Sequence, residues 1–220
     1  MFLSRLLLDP RSRRVQRELA APYEMHRSIM RAFPSVLPAE AERVLFRVDE
    51  HAQLDVPVLL VQSLTMPDWS WLGEDAGAQG YLLATDQPNP AIKAFALSLA
   101  AGQTLVFRLR ANPTMKKTVS AANDKKRIGL ERDDEQRAWL DRKAAAGGFR
   151  ILSAQIAREG TVGSQIHRAG GNAHALTLLA VRFDGLLAVV DADMLRATMA
   201  RGIGSAKGLG FGLLSVAPPR

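Results

Sequence analysis

The sequence predicts an α+β fold made of two successive βαββαβ halves. Short runs that alternate apolar and polar residues recur along the 220-residue chain, as half-buried strands require. Segments with helical spacing and clear stop signals stand between them. The order strand, helix, strand, strand in the first half returns in the second as strand, helix, strand, strand, helix, strand. That is the ferredoxin-like, RRM-like order. The halves are expected at residues 1–98 and 103–220, with the join inside 90–103.

"FLSRLLL" (2–8) is apolar and stops at Asp9-Pro10, so it reads as a strand. Residues 11–19, "RSRRVQREL", suit a short charged helix. Pro22 then opens a second helix, with Met25, Ile29, Met30 and Phe33 at helical spacing, and Pro34 and Pro38 end it. "RVLFRVDE" (43–50) alternates and is a half-buried strand; "VPVLLVQSL" (56–64) is a more buried one. Residues 65–80 carry Pro, Gly and acidic residues and read as a loop with two tryptophans. "AIKAFALSLAAG" (91–102) suits a short helix.

In the second half "QTLVFRLRAN" (103–112) is a strand, and the residues after Arg110 form a long loop. Residues 134–148 make a helix with an acidic first turn and a Gly-Gly stop. "FRILSAQIAR" (149–158) and 175–191 are strands, the latter holding a hairpin turn at Asp184-Gly185. The segment 158–168 is a hairpin tip. A helix over 192–202 and a strand over 210–218 close the chain.

Lys and Arg outnumber Asp and Glu by 29 to 22, a net charge of +7. That favours an anionic partner such as nucleic acid. The absence of cysteine removes disulfides, thiolate metal sites and cysteine nucleophiles. Arg5 interrupts the apolar N-terminus, and no run approaches the roughly 18 uncharged apolar residues of a membrane span. A soluble, cytoplasmic protein without membrane association is expected.

Three segments carry candidate chemistry. The first, "RGIGSAKGLGFGLL" (201–214), places glycines at Gly202, Gly204, Gly208, Gly210 and Gly212 around Lys207. It lies between a helix and a strand, the reverse of a dinucleotide fingerprint, and it has Lys-Gly where a P-loop needs Gly-Lys. Its backbone could still approach a phosphate, or it is simply a tight turn. The second, residues 107–132, holds Arg108, Arg110, Lys116, Lys117, Lys125, Lys126, Arg127 and Arg132 against Asp124 and Glu131. Such charge on a loop suits a phosphate backbone. The third is "APYEMHRSIMRAF" (21–33). Tyr23 and His26, three apart on a helix, share a face, where they serve packing or proton transfer. Arg27 and Arg31 lie on an adjacent strip and could hold a phosphate. The four histidines show no His-x-x-x-His spacing and no metal-like carboxylate pattern, so no metal and no other cofactor is expected.

Taken together, "APYEMHRSIM", "RLRANPTMKK", "VPVLLVQSLTMPDWSWL", "GGFRIL" and "GIGSAKGLGFGLLSVAP" resemble, from Met1 to Pro218, the CasE family of CRISPR-associated endoribonucleases. The resemblance implies two ferredoxin-like domains and a metal-independent cut on the 3′ side of the stem-loop of CRISPR repeat RNA. It also implies retention with the other Cascade subunits. It puts the catalytic pair on Tyr23 and His26, the basic loop on Lys116, Lys117, Lys125, Lys126 and Arg127, and the glycine-rich loop on Gly202 to Gly212 with Lys207 inside. Basic residues of the second domain's hairpin, Arg158 and Arg168, should enter the groove of the stem.

Without metal ligands, the nucleophile expected is the RNA's own 2′-hydroxyl. His26, with a reference pKa near 6.5, suits proton transfer at neutral pH better than Tyr23, whose reference is near 10. Arg27 and Arg31 would offset charge on the phosphate. The rival reading is a non-catalytic RNA-binding subunit. Strand aromatics at Phe46, Phe107, Phe149 and Phe183, without an RNP-like run, speak against base stacking on a sheet and for recognition of a stem by charge and shape.

Overall fold

The computed structural model describes residues 1–37, 43–118, 125–167 and 173–219. It is an α+β chain with two four-stranded antiparallel sheets and a separate two-stranded ribbon. In chain order the elements are β1 Phe2–Leu7, α1 Arg13–Ala20, α2 Pro22–Met30, β2 Leu45–Glu50, β3 Pro57–Ser63, α3 Trp71–Glu74 and β4 Ala91–Ala94. There follow β5 Thr104–Ala111, β6 Thr114–Thr118, β7 Lys125–Gly129, α4 Asp133–Ala145, β8 Phe149–His167, β9 Ala173–Val189, α5 Ala192–Arg201 and β10 Leu214–Ala217. The first sheet runs β2-β3-β1-β4 and the second β10-β5-β9-β8. Among the described residues no helix is long and apolar enough to cross a membrane.

Two cores hold the sheets. Leu6, Met25, Ile29, Phe46, Leu59 and Tyr81 sit in the first; Leu109, Trp139, Phe149, Phe183, Leu187 and Leu195 sit in the second. A polar knot fixes α1 and α2 against the first core. The buried Glu18 carboxylate accepts from Ser28 Oγ (2.6 Å), Tyr81 OH (2.6 Å) and Arg14 Nε (2.9 Å). Burial, and then the adjoining Glu18 charge, push the Tyr81 phenol well above its ordinary value. Every partner is satisfied, so the knot sets the orientation of α2 without leaving a buried charge exposed to a bare core.

Several expectations change. Residues 91–102 are not a helix: Ala91–Ala94 pairs with Phe2–Arg5 as an edge strand. The open edge of β1 needs backbone partners, and that need outweighs helix propensity in four residues. Residues 65–80 are not wholly a loop, because Trp71 and Leu72 are buried through the single turn of α3. The segment after Arg110 is not a long loop. It folds back as β6 and β7, pairing Lys116 with Arg127, Lys117 with Lys126 and Thr118 with Lys125.

Asp184-Gly185 does not turn the chain; β9 runs straight through it, with Gly185 opposite both Phe107 and Ala154. A Cβ at Gly185 would fall 2.0 Å from the Ser153 carbonyl oxygen. The glycine therefore marks a close approach beside the register shift between Ile151 and Ser153. Likewise 158–167 is no tip: β8 continues to His167, opposite Ala173. Arg168 lies outside the described residues.

Leu45, Phe46 and Arg47 are all buried, so β2 is covered on both faces and not on one. Arg47 explains how. Its Nε and Nη2 donate to the Asp49 carboxylate at 2.8 Å each, on its own strand. The guanidinium also reaches into the second half: Nη1 to the carbonyls of Leu213 (3.2 Å) and Arg108 (3.3 Å), and Nη2 to Ser215 Oγ (3.1 Å). Gln62 Nε2 adds a second crossing bond, to the Met199 carbonyl at 2.8 Å.

Replacing Arg47 with alanine strands Asp49 and two carbonyls in a buried seam. A loss of about 3–5 kcal/mol is expected in urea unfolding. Arg47→Lys should recover little of it, because one ammonium cannot match a planar fork across four acceptors. Wild-type stability in Arg47→Ala would mean that the seam carries no load.

Candidate functional site

Pro22 opens α2 at its first turn, where a missing N–H costs nothing. Met25 and Ile29 bury the inner face, and His26, one step round, is left half-buried toward the second half of the chain. Opposite it stands the segment 202–212. Asp191 caps α5 through Met194 N–H (2.9 Å), and the helix ends at Gly202. Gly202 has φ of 71° and touches Leu45: a Cβ there would lie 2.8 Å from its methyl. The loop closes on itself by Ile203 N–H to Gly212 O (2.9 Å) and hangs on β5 by Gly212 N–H to Arg110 O (2.8 Å). Between these anchors Lys207–Leu209 forms a 3-10 turn.

That turn lies against His26. A Cβ added to Gly208 would sit 3.7 Å from the imidazole Nε2 and Cε1. The Phe46 ring stacks on the same imidazole, centroids 6.4 Å apart. The His26 Nδ1 is buried and has no hydrogen-bond partner among the described residues. Burial holds the imidazole below its usual 6.5, so the neutral form prevails at pH 7.

A cleft of about 510 Å³ opens at this point, lined by His26, Met30, Leu37, Arg43, Val44, Arg127 and the loop from Gly204 to Gly208. Arg43, Arg127 and Lys207 give it three cations, and no carboxylate stands among the described lining residues. Burial, and then the charges of Arg43, Arg201 and Lys143, depress the Lys207 ammonium from its ordinary value. Crowded cations with no counter-charge favour an anion.

The structure brings together only part of what the sequence suggested. His26, Arg127, Lys207, Gly204 and Gly208 meet at the cleft, while Gly202, Gly210 and Gly212 anchor the loop away from its lining. Tyr23 stands beside it, its ring centroid 6.5 Å from that of His26, but packs on the apolar group of Leu178, Leu209 and Phe211 without lining the cleft. Arg31 is not at the cleft: its guanidinium binds Asp75 (2.5 Å) and lies 4.1 Å over the Trp71 ring. Arg27 turns to solvent and pairs with Glu24 (3.3 Å). These two do not clamp an anion beside His26.

Arg108 and Arg110 face the outer side of the second sheet and are matched, with Asp184 (2.5 Å) and Glu159 (2.6 Å) respectively. Arg158 pairs with Asp133 at 2.5 Å. Lys116 faces the same side of its ribbon as Arg127, and Lys117 is exposed on the strand next to it. Lys125 and Lys126 are placed by the β7 register alone.

Arg43, Lys143, Arg201 and Ser205 were not foreseen. Arg43 stood at the head of a strand pattern and Lys143 in the last turn of a helix, where each already had a local explanation. Only the fold shows Arg43 and Ser205 lining the cleft, with Lys143 and Arg201 near enough for their charges to act on Lys207.

Comparison with known proteins finds relatives along almost the whole chain. A family model described as CRISPR associated protein matches residues 1–218. The CRISPR-associated endoribonuclease Cse3 of Thermus thermophilus is 42% identical, covering 99% of this chain and all of that one. The CRISPR system Cascade subunit CasE of Escherichia coli is 30% identical over the same shares. A solved structure of Thermus thermophilus Cse3 bound to an RNA representing a pre-cleavage complex superposes with a TM-score of 0.79. It is 41% identical, over 99% of this chain and 98% of that one.

Among the four histidines, the imidazole of His26 should titrate below 6.5 in the free protein, followed by NMR. It should move upward when a polyanion fills the cleft, because a neighbouring negative charge favours the protonated ring. A free-protein midpoint at or above 6.5 would contradict the buried placement.

Proposed function

The chain belongs to the CasE family of CRISPR-associated endoribonucleases, and from that premise we propose how it acts. It binds the stem-loop of CRISPR repeat RNA and cuts precursor CRISPR RNA on the 3′ side of that stem without a metal ion. It then stays on the mature RNA among the other Cascade subunits. The observation that carries this reading is the half-buried His26, its Nδ1 shielded and without a hydrogen-bond partner among the described residues, facing a cleft with three cations and no described carboxylate. We also read the sheet orders β2-β3-β1-β4 and β10-β5-β9-β8 as two ferredoxin-like domains in tandem, 1–98 and 103–220. Leu97 and Leu99 already pack on the second core, which favours moving the join to just before Leu97, slightly ahead of the bound at 98.

The reaction uses atoms that the RNA brings. The 2′-oxygen next to the scissile phosphate attacks phosphorus, and its proton passes to a base. The bond from phosphorus to the 5′-oxygen breaks, and that oxygen takes a proton. The products are a 2′,3′-cyclic phosphate and a 5′-hydroxyl. His26, neutral at pH 7, is the main proton-transfer group, and Tyr23 positions the 2′-hydroxyl or shares its proton. Lys207, Arg127 and Arg43 offset the charge that grows on the non-bridging oxygens. Lys116, Lys117, Lys125 and Lys126 on the β6–β7 ribbon hold the stem through its phosphates, joined by Arg158 of β8 once it leaves Asp133 and by Arg168, outside the described residues. Arg27, exposed on α2, is placed to meet RNA outside the cleft; Arg31, Arg108 and Arg110, which keep acidic partners, would have to exchange them to do so.

A labelled repeat hairpin incubated in EDTA should be cut, and a copy with a 2′-deoxy residue at the cut site should not. Cutting of the deoxy copy would sink the 2′-hydroxyl route. His26→Ala should bind the hairpin normally and cut it at least about a hundredfold more slowly. A normal rate would remove His26 from the chemistry. If wild type binds and never cuts, the chain is a non-catalytic RNA-binding subunit.

Lys116→Ala with Lys117→Ala should weaken hairpin binding and lower the slope of log K against log salt by about two at most. An unchanged slope would take the ribbon out of the interface.

A further inference from the structure

The cleft beside His26 continues into a smaller pocket of about 240 Å³, and the two share Arg127, Gly204 and Ser205. The ribbon supplies Thr114, Lys116 and Arg127 to it, and α4 supplies Trp139 and Lys143. Among the described lining residues there are three cations and no carboxylate. None of the three makes an ion pair among the described residues. Ser205 has its hydroxyl oxygen shielded from solvent and without a hydrogen-bond partner among the described residues. A buried hydroxyl of that kind costs stability unless something meets it, and here it sits between two groups of cations.

The floor is rigid. Trp139 is 4% exposed and stacks on Phe183, centroids 6.1 Å apart. The Lys143 ammonium lies over the indole, 5.9 Å from its centroid. Gly204 is needed for closure, since a Cβ there would come within 3.1 Å of the indole. With Phe183 and Lys143 against the indole, no open ring face is offered to a base. What the walls offer is charge and a hydroxyl, at the size of one phosphate and far below that of a duplex.

We propose that this pocket holds the phosphate next along the RNA strand from the scissile one, on its 3′ side, gripped by Arg127 and Lys143 with Ser205 donating a hydrogen bond, while Lys116 on the ribbon stays with the stem. The inference rests on the RNA-cleaving reading above. On that reading the stem lies 5′ of the cut, so the strand entering a pocket too small for paired RNA is the unpaired one beyond it. Arg127 stands between the two phosphates. Fixing the second phosphate fixes the leaving 5′-oxygen in line with the attacking 2′-oxygen, which is a positioning effect on rate more than on affinity. The stem is held elsewhere, so removing this phosphate should slow cutting while leaving binding nearly unchanged.

The test uses repeat RNAs that end one nucleotide beyond the cut, with either a 3′-phosphate or a 3′-hydroxyl. In single-turnover cleavage at saturating protein the phosphate-ended RNA should be cut about tenfold faster or more. Lys143→Ala should bring that ratio close to one, and Lys143→Arg should keep it. Lys143 is exposed at the end of α4, so its loss leaves the core alone. Equal rates for the two RNAs with wild type overturn the proposal, as does an undiminished ratio in Lys143→Ala. If wild type fails to cut even the full-length repeat, the cleavage reading itself has failed, and this inference goes with it.

Discussion

Everything at the cleft depends on how the two halves are held, and Arg47 is the main clasp. It sits on β2, bound to Asp49, with donors left over for Leu213, Arg108 and Ser215 across the seam. Its neighbours do the packing: Leu45 fills against Gly202, and Phe46 stands between His26 and Gly210. Three consecutive residues therefore tie β2 to the second half, and Phe46 links α2 to the segment 202–212. A buried ion pair on its own is weak support for stability, because desolvation consumes much of the attraction. Here the guanidinium also donates to the backbone carbonyls of Leu213 and Arg108. Its value lies in fixing one register between the halves, and so in fixing where His26 faces.

The distribution of charge shows why a count of basic residues is a poor map of a site. Residues 107–132 hold the densest run of cations in the sequence, yet Arg108 and Arg110 are spent on Asp184 and Glu159. Arg31 is spent on Asp75, and Arg158 on Asp133. The cations around the cleft come one at a time from separate elements: Arg43 before β2, Arg127 on β7, Lys143 on α4, Lys207 in the glycine-rich turn. Each is ordinary in its own segment. Burial first, and then the charges of Arg43, Arg201 and Lys143, depress the Lys207 ammonium, and an anion would relieve the second of these.

The strand and helix order was legible because period-2 and period-3.6 patterns survive wherever one face is buried and the other wet. It failed where that condition fails. Ala91–Ala94 reads as helix because four residues carry too little pattern, and the unpaired edge of β1 settles the matter from outside. Asp184-Gly185 reads as a turn because glycine serves turns and close approaches alike; only the bulge at Ser153 distinguishes them. His26 was legible through its neighbour Tyr23 and through the family resemblance, whereas Ser205 carried no signal at all. A serine between glycines says nothing until the fold buries its hydroxyl.

The glycine-rich segment resolves a choice that the sequence left open between a phosphate loop and a tight turn. Its geometry is that of a turn: one end is pinned by Gly212 to Arg110, the other by Gly202 to Leu45. Yet the turn is what makes the cleft. Gly208 lets backbone pass over the imidazole, Gly204 lets it pass over the indole, and Ser205 lies between them on the wall that the two cavities share. A Cβ at Gly204 would crowd the indole at 3.1 Å, and one at Gly208 would rest on the imidazole at ordinary contact distance, 3.7 Å, taking up space in the cleft. The same loss of side chains that permits the fold therefore leaves the room that our proposal gives to two successive phosphates, with His26 at one end and the cations of α4 and the ribbon at the other.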